Sequence, residues 1–214
     1  MARLVQLAVL STIALATEVA NVARFGRDAP RFAERIWVDP AALTTTLGPL
    51  DFDLGRVSSG TVRGGDWDLH AWAIDESVVQ ACILHWRDGV PWKDTGAYDH
   101  IMAAIASSPE GVFDGCRTLE DVERRHARID ALFDQVAAEG RLRPRNELPG
   151  HQFREMGGVR VHVGRTGNLI RGGDGAHRLG MALALGLPVM PAMIGCVHLE
   201  AITVWRSCLA AQPR

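Results

Sequence analysis

The spacing of apolar and polar positions predicts one long amphipathic helix over residues 119–139. Its apolar stripe repeats every three to four positions and consists of Leu119, Val122, His126, Ile129, Leu132, Phe133 and Val136. Thr118 and Asp121 have the spacing of an N-terminal capping box, and Gly140 is suited to end the helix. Because His126 lies in the apolar stripe, we expect it to be a buried or boundary side chain rather than a ligand.

Shorter segments predict further helices and strands. Residues 77–86 and 98–107 suit helices, and the strict alternation of Val159–Val163 predicts a half-buried strand. A turn then leads to a second strand at Leu169–Arg171, so these two strands are expected to form a hairpin.

Further strands and helices are predicted towards the two ends of the main domain. Arg35–Val38 predicts an opening strand, residues 179–185 a compact helix and residues 189–194 a last strand. Pro191 interrupts that last strand, so we expect it at an edge of the sheet, where a missing N–H breaks no ladder. Residues 199–211 are compatible with a final helix. Together these elements predict a mixed α+β fold.

Residues 1–25 form a separate apolar segment ahead of the main domain, which we expect to cover residues 30–214. The run from Leu4 to Ala16 is almost wholly apolar and predicts a helix. It reaches the length of about 20 residues that spans a membrane only when polar residues up to Asn21 are counted. Three interpretations stay open: a helix docked on the protein or on a partner, a membrane anchor, and a signal peptide with a cleavage site at Ala14–Ala16.

The composition is that of an ordinary globular protein, with 47% hydrophobic and 22% charged residues. A formal net charge of -2 gives no general attraction for nucleic acids. The 4 cysteines contain no CxxC pair and match no zinc-binding spacing, which is typical of reduced thiols in an intracellular protein. We therefore expect a cytoplasmic protein, with membrane association through the N terminus as an open alternative and secretion disfavoured.

The run Gly172–Arg178, which reads Gly-Gly-Asp-Gly-Ala-His-Arg, predicts an anion-binding turn at the start of a helix. Glycines let backbone N–H groups approach a ligand, and a helix N-terminus carries partial positive charge. The expected phosphate-binding residues are Gly172, Gly173, Gly175, His177 and Arg178. Asp174 suits a helix cap, a Mg²⁺ ligand or a proton acceptor. The same run is also compatible with a plain tight turn.

The segment Gly64–Asp68, which reads Gly-Gly-Asp-Trp-Asp, is a second candidate. Either Asp66 or Asp68 suits a Mg²⁺-binding carboxylate of a nucleotide site, and Asp68 is also a candidate for catalysis. Trp67 suits core packing better than stacking on a base. The histidines show no ligand spacing such as HExxH, so we predict no transition-metal site.

The segment from Val159 to Ile194 resembles the ParB/sulfiredoxin-like domain family. The shared features are a strand pair, a glycine turn ending in His-Arg, a small helix, and an Ile-Pro-Val-like strand start, here Leu187–Val189. Gly64–Asp68 and Gly89–Thr95 match the GGDWD and G-x-P-W-x-D-T segments of an uncharacterised stand-alone branch of that family. The resemblance implies a mixed small sheet with packed helices.

Members of this family use the glycine turn to hold nucleotide phosphates, and some are small-molecule kinases with an Asp-Gly-His-His-Arg motif. The equivalent run here, Asp174–Arg178, lacks one histidine. The resemblance implies that Asp174 is a catalytic acid or base and that the cofactor is a nucleoside triphosphate or diphosphate with Mg²⁺. Sulfiredoxins have a cysteine in place of Ala176, so their nucleophile is missing. Only 36 residues follow Arg178, too few for the DNA-binding region of partition proteins, so we do not expect nucleic-acid binding.

Two functions stay open. The first is a nucleotide-dependent phosphotransferase, in which the turn, His177 and Arg178 hold the phosphates of a nucleotide or phosphorylated small molecule. Mg²⁺ would offset their charge and Asp174 would activate an acceptor hydroxyl. The second is a non-catalytic accessory subunit of a membrane-associated or larger assembly, anchored through Leu4–Ala23, which is too apolar to be left in water.

Overall fold

The structure, a computed structural model, describes residues 2–47, 58–74, 77–149 and 153–210, with side chains of the first helix described from Leu7 onward. The helices of this part of the chain are α1 (Ala2–Phe25), α2 (Ser77–Trp86), α3 (Ala97–Ser107), α4 (Leu119–Glu139) and α5 (Ala176–Ala184). The strands are β1 (Arg35–Val38), β2 (Thr45–Thr46), β3 (Val62–Arg63), β4 (Trp72–Ala73), β5 (Val159–Val163), β6 (Leu169–Arg171) and β7 (Met190–His198). The α+β fold class is confirmed.

These strands form one mixed sheet in the order β1-β7-β5-β6-β2-β4, and β3 also pairs with β7. β5 and β6 form the predicted antiparallel hairpin, whose turn is closed by the Gly164 N–H donating to the carbonyl of Asn168 (2.9 Å). β5 pairs in parallel with β7, and β6 pairs in parallel with β2. The hairpin therefore lies inside the sheet, and the glycine-rich run leaves from the end of β6.

The chain groups into two compact units. The first unit contains Met1–Ile74, Arg143–Gly175 and Pro188–Arg214, and it holds α1 and all the strands of the sheet. The second unit contains Asp75–Leu142 and Ala176–Leu187, and it holds α2, α3, α4 and α5. The glycine-rich run crosses this division between Gly175 and Ala176.

The prediction that the last strand lies at an edge was wrong. β7 is longer than predicted, is buried along its whole length, and has β1 and β5 as neighbours. Pro191 lies opposite Trp37 of β1, and the pairing with β5 begins one residue later, where Ala192 lies opposite Val159. Because Pro191 precedes the β5 pairing, its missing N–H removes no bond from that ladder.

The elements with strong local signals formed where the sequence placed them. In α4 the Asp121 N–H donates to Thr118 Oγ1 (3.2 Å), the Thr118 N–H donates to Asp121 Oδ2 (3.0 Å), and Gly140 ends the helix at φ 63°. His126 is buried, as predicted.

The last helix, α5, begins at Ala176, three residues before the predicted start. Instead of a final helix, the C-terminal segment forms short 3₁₀ turns at Leu199–Ala201 and Trp205–Cys208.

The predicted N-terminal helix is present as α1, and one of its faces packs on the rest of the first unit. Leu10, Ile13 and Ala14 contact a cluster that includes Phe32 and Met193. By length and composition, Leu7–Phe25 is apolar enough to cross a membrane, a criterion that a core helix or a signal sequence also meets.

The second unit is held by close helix packing and a carboxylate shared between two indoles. A Cβ on Gly180 of α5 would lie 2.5 Å from the Cβ of Cys82, so only glycine allows α2 this approach. Asp130 of α4 accepts hydrogen bonds from the indole N–H groups of Trp86 (2.9 Å) and Trp92 (3.0 Å). These bonds tie α4 to α2 and to the loop after it.

Candidate functional site

The glycine turn, Gly172–Gly175, belongs to the first unit, and its glycines have different surroundings. A Cβ on Gly172 would clash with the side chain of Arg160 and would lie 2.9 Å from His162 Nε2. A Cβ on Gly175 would lie 2.8 Å from the Cα of Val159, and the residue has φ +75°. Gly173 is exposed, and among the described residues beyond its two chain neighbours no atom lies within 4 Å of a Cβ built on it. The turn is thus packed tightly at both ends and accessible at its centre.

Two arginines from the hairpin reach Asp174 in this turn. Arg160 of β5 has its Nη1 3.4 Å from Asp174 Oδ2, and Arg171 of β6 donates from Nη2 to the carbonyl of Asp174 (3.4 Å). Arg171 lies opposite Val161 in the hairpin register, so it starts on the face of the sheet opposite to that of Arg160. Asp174 therefore lies at the end of the hairpin between guanidinium groups from both faces.

Burial shapes the electrostatics of these arginines. Arg171 is 1% exposed and Arg160 is 9% exposed. Burial lowers the pKa of the Arg171 guanidinium, and the negative charge of Asp174 partly offsets this. An arginine stays protonated even so, which means that the hairpin holds two largely buried cations next to the glycine turn.

His162 lies two residues beyond Arg160 on the same face of β5 and is held in one tautomer. The Cys196 N–H donates to His162 Nδ1 (2.8 Å), so the neutral ring carries its proton on Nε2, the nitrogen nearest Gly172. Burial, and then the positive charge of Arg160, lower the pKa of His162 to about 3. The ring is therefore neutral at physiological pH, and it accepts the Cys196 N–H at Nδ1.

His177 and Arg178, the other predicted phosphate ligands, lie in the first turn of α5 in the second unit. Burial, and then the positive charges of Arg125 and His126, lower the pKa of His177 to about 4. Arg125 of α4 is itself held by Asp114, with 2.7 Å between Nη2 and Oδ2. His177 is thus neutral at pH 7, and the start of α5 has an arginine of α4 in its electrostatic surroundings. A shared phosphate between these side chains and the glycine turn stays a prediction.

In the second candidate segment, Gly64–Asp68, both carboxylates accept hydrogen bonds from Arg165. Arg165, in the hairpin turn, donates from its backbone N–H to Asp68 Oδ2 (2.8 Å) and from Nη2 to Asp68 Oδ1 and Asp66 Oδ1 (both 2.8 Å). Burial alone would raise the pKa of Asp68, but the hydrogen bonds from Arg165 outweigh it and lower the pKa. Trp67 is buried in the core, as predicted. The structure gives both carboxylates a structural partner, and their catalytic and Mg²⁺ roles stay predictions.

No group of three or more His, Cys, Asp or Glu side chains suited to a metal ion occurs among the residues that the structure describes. Sequence reasoning also missed three residues of the site: Arg160, His162 and Arg171. One signal was present, because Arg160 and His162 alternate on one face of a strand whose hairpin partner runs directly into the glycine turn.

Comparison with models of protein families, with curated proteins and with solved structures finds no match to this chain. The resemblance to the ParB/sulfiredoxin-like family therefore stays a prediction.

Proposed function

We propose that the turn Gly172–Gly175 binds a phosphate group of a nucleotide and that the protein is a nucleotide-dependent phosphotransferase. The observation that supports this best is the approach of Arg160 and Arg171 to the same turn from opposite faces of the sheet. Guanidinium groups form charge-assisted, often bidentate hydrogen bonds with phosphate oxygens, and buried ones do so with little competition from water.

The backbone of the turn suits an anion as well. Glycine-rich turns expose successive N–H groups that form a concave binding surface for negative charge. Gly173 is exposed and has open space around its α-carbon, so a phosphate oxygen can approach the backbone there. The first turn of α5 follows directly in the chain, and Arg178 and His177 are the further donors that the sequence predicts.

Asp174 is the residue that distinguishes phosphate transfer from simple anion binding. Its carboxylate lies 3.4 Å from Arg160 Nη1, and a carboxylate repels phosphate unless a cation intervenes. Mg²⁺ bound with the nucleotide would offset that repulsion, and the carboxylate would then accept the proton of an acceptor hydroxyl.

Gly173 offers a sharp test, because the site tolerates a side chain there without steric conflict. Gly173→Asp places a negative charge at the turn, whereas Gly173→Asn adds a neutral side chain of the same size. We expect the Asp variant to bind ATP, ADP or CTP in Mg²⁺ at least about tenfold more weakly than the Asn variant, measured by calorimetry.

The wild-type chain and the Asn variant provide the controls, and matching thermal unfolding curves show that all three proteins are folded. If the Asp and Asn variants both bind as tightly as the wild type, the turn is not part of the site. Absence of binding by the wild type at millimolar nucleotide would overturn the proposed function itself.

A further inference from the structure

One face of α1 is fixed to the first unit by polar bonds as well as by apolar contacts. Asn21 is buried and donates from Nδ2 to the carbonyls of Pro30 (2.7 Å) and Gly60 (2.6 Å). Arg154 forms an ion pair with Glu18, one turn before Asn21. Together with the apolar contacts of Leu10, Ile13 and Ala14, these bonds hold α1 along the domain from residue 10 to residue 21.

The opposite face of α1 is apolar and exposed. Val9, Leu15, Val19 and Val22 are between 48% and 67% exposed. The alanines beside them are exposed too: Ala8, Ala16, Ala20 and Ala23. Between Leu7 and Ala23 the sequence has a single charged residue, Glu18, which pairs with Arg154. An uncharged apolar stripe of this length is unusual on a monomer surrounded by water.

The hydroxyl groups beside this stripe already have partners within the helix. Ser11 Oγ donates to the carbonyl of Leu7 (2.8 Å), and Thr12 Oγ1 donates to the carbonyl of Ala8 (3.0 Å). Entry into hydrocarbon therefore leaves neither hydroxyl proton unsatisfied, which would otherwise cost several kcal/mol per group.

The segment after the stripe is basic. Arg24, Arg27 and Arg31 are exposed there, against one exposed acid, Asp28. An apolar helix face next to clustered arginines matches the chemistry of a membrane surface with anionic lipids, where apolar side chains enter the acyl boundary and arginines meet the headgroups.

We propose that α1 lies in the plane of an anionic membrane surface, with its exposed face in the lipid and its other face on the first unit. A spanning orientation would require the bonds of Asn21 and Glu18 to the domain to break and would place both polar side chains in hydrocarbon. In-plane binding keeps those bonds intact. This surface is independent of the proposed nucleotide site.

Flotation of the full chain with lipid vesicles tests the proposal. We expect the protein to float with vesicles of phosphatidylcholine mixed with phosphatidylglycerol and to bind pure phosphatidylcholine vesicles more weakly. The double substitution Leu15→Gln and Val19→Gln removes apolar surface from the exposed face and should lower partitioning at least about tenfold. Leu132→Gln is the matched control, because Leu132 is 52% exposed on α4 in the other unit, and it should bind as the wild type does.

Four results would overturn the proposal. The first is a wild-type chain that floats with neither vesicle. The second is a double variant that floats as well as the wild type. The third is a chain that binds no lipid but forms a dimer, seen by light scattering, which the double substitution converts to monomers; this would assign the face to a second copy. The fourth is a chain that resists extraction by alkaline carbonate, which would indicate a spanning helix. If the double variant unfolds, Arg24→Gln with Arg27→Gln replaces it and should weaken binding to the mixed vesicles only.

Discussion

At the scale of single residues, the fold requires glycine at two positions of the turn, Gly172 and Gly175, for two different reasons. Gly175 excludes a side chain twice, because its φ is +75° and because a Cβ would lie 2.8 Å from the backbone of Val159. Gly172 leaves room for the side chains of Arg160 and His162. Neither reason applies to Gly173, so a requirement for glycine at that position would come from a ligand rather than from the fold.

This difference predicts how the turn tolerates alanine. Gly175→Ala combines an unfavourable φ with a backbone clash, and we expect it to lower the free energy of unfolding by about 2–4 kcal/mol. The methyl group of Gly173→Ala meets no atom of the described residues beyond its chain neighbours, and this variant should change that free energy by less than about 0.5 kcal/mol. Urea unfolding of both variants checks the prediction, and comparable losses at the two positions would contradict it.

Residue-scale chemistry was only partly predictable from the sequence. The glycine spacing identified the turn because backbone freedom is a local property. The partner of Asp68 was not predictable, because Arg165 lies 97 residues further along the chain and only the fold brings them together. Arg171 was missed for the same reason, since an arginine at the end of a short strand has no local mark of burial.

At the scale of elements, the sequence predicted correctly those elements whose signals are local, and it failed where the element depends on tertiary pairing. α4 formed over the predicted residues because its cap, its stripe and its terminal glycine all lie within the helix or next to it. β7 lies inside the sheet and not at the predicted edge, because Pro191 costs a ladder hydrogen bond only if it lies within the pairing with β5, and that pairing begins at Ala192. The start of α5 was missed because Ala176, His177 and Arg178 continue the helix backward without adding to its apolar stripe.

The capping box of α4 can be tested directly. Thr118→Ala removes the acceptor for the Asp121 N–H, and we expect a loss of about 1 kcal/mol in the free energy of unfolding. Thr118→Ser keeps a hydroxyl in place and should retain most of that stability. Thermal unfolding followed by circular dichroism compares the two, and a Ser variant as unstable as the Ala variant would show that the cap is not the source.

At the scale of the whole molecule, each compact unit holds a neutral histidine, buried in the first unit and half-buried in the second, next to an arginine. In the first unit His162 lies next to Arg160, and in the second unit His177 experiences the charge of Arg125. A protonated imidazole in either place would be both desolvated and repelled. Both rings therefore stay neutral in the folded chain in mild acid, and stability is lost because the unfolded chain binds protons that the folded chain excludes.

We expect the free energy of unfolding to fall as the pH is lowered from about 7.5 to about 5. The pKa of His162 is about 3 in the folded chain, against 6.5 for an unperturbed histidine, so the unfolded chain binds more protons between these values and stability is lost as the pH falls below 6.5. His162 alone should account for about 2 kcal/mol at pH 5. Asp68 does not act in this window, because its lowered pKa withdraws stability only as the pH falls below 3.8. Urea unfolding across this range measures the effect, and His162→Asn, which cannot titrate, should remove about 2 kcal/mol of the fall. An equally steep fall in this variant would contradict the assignment.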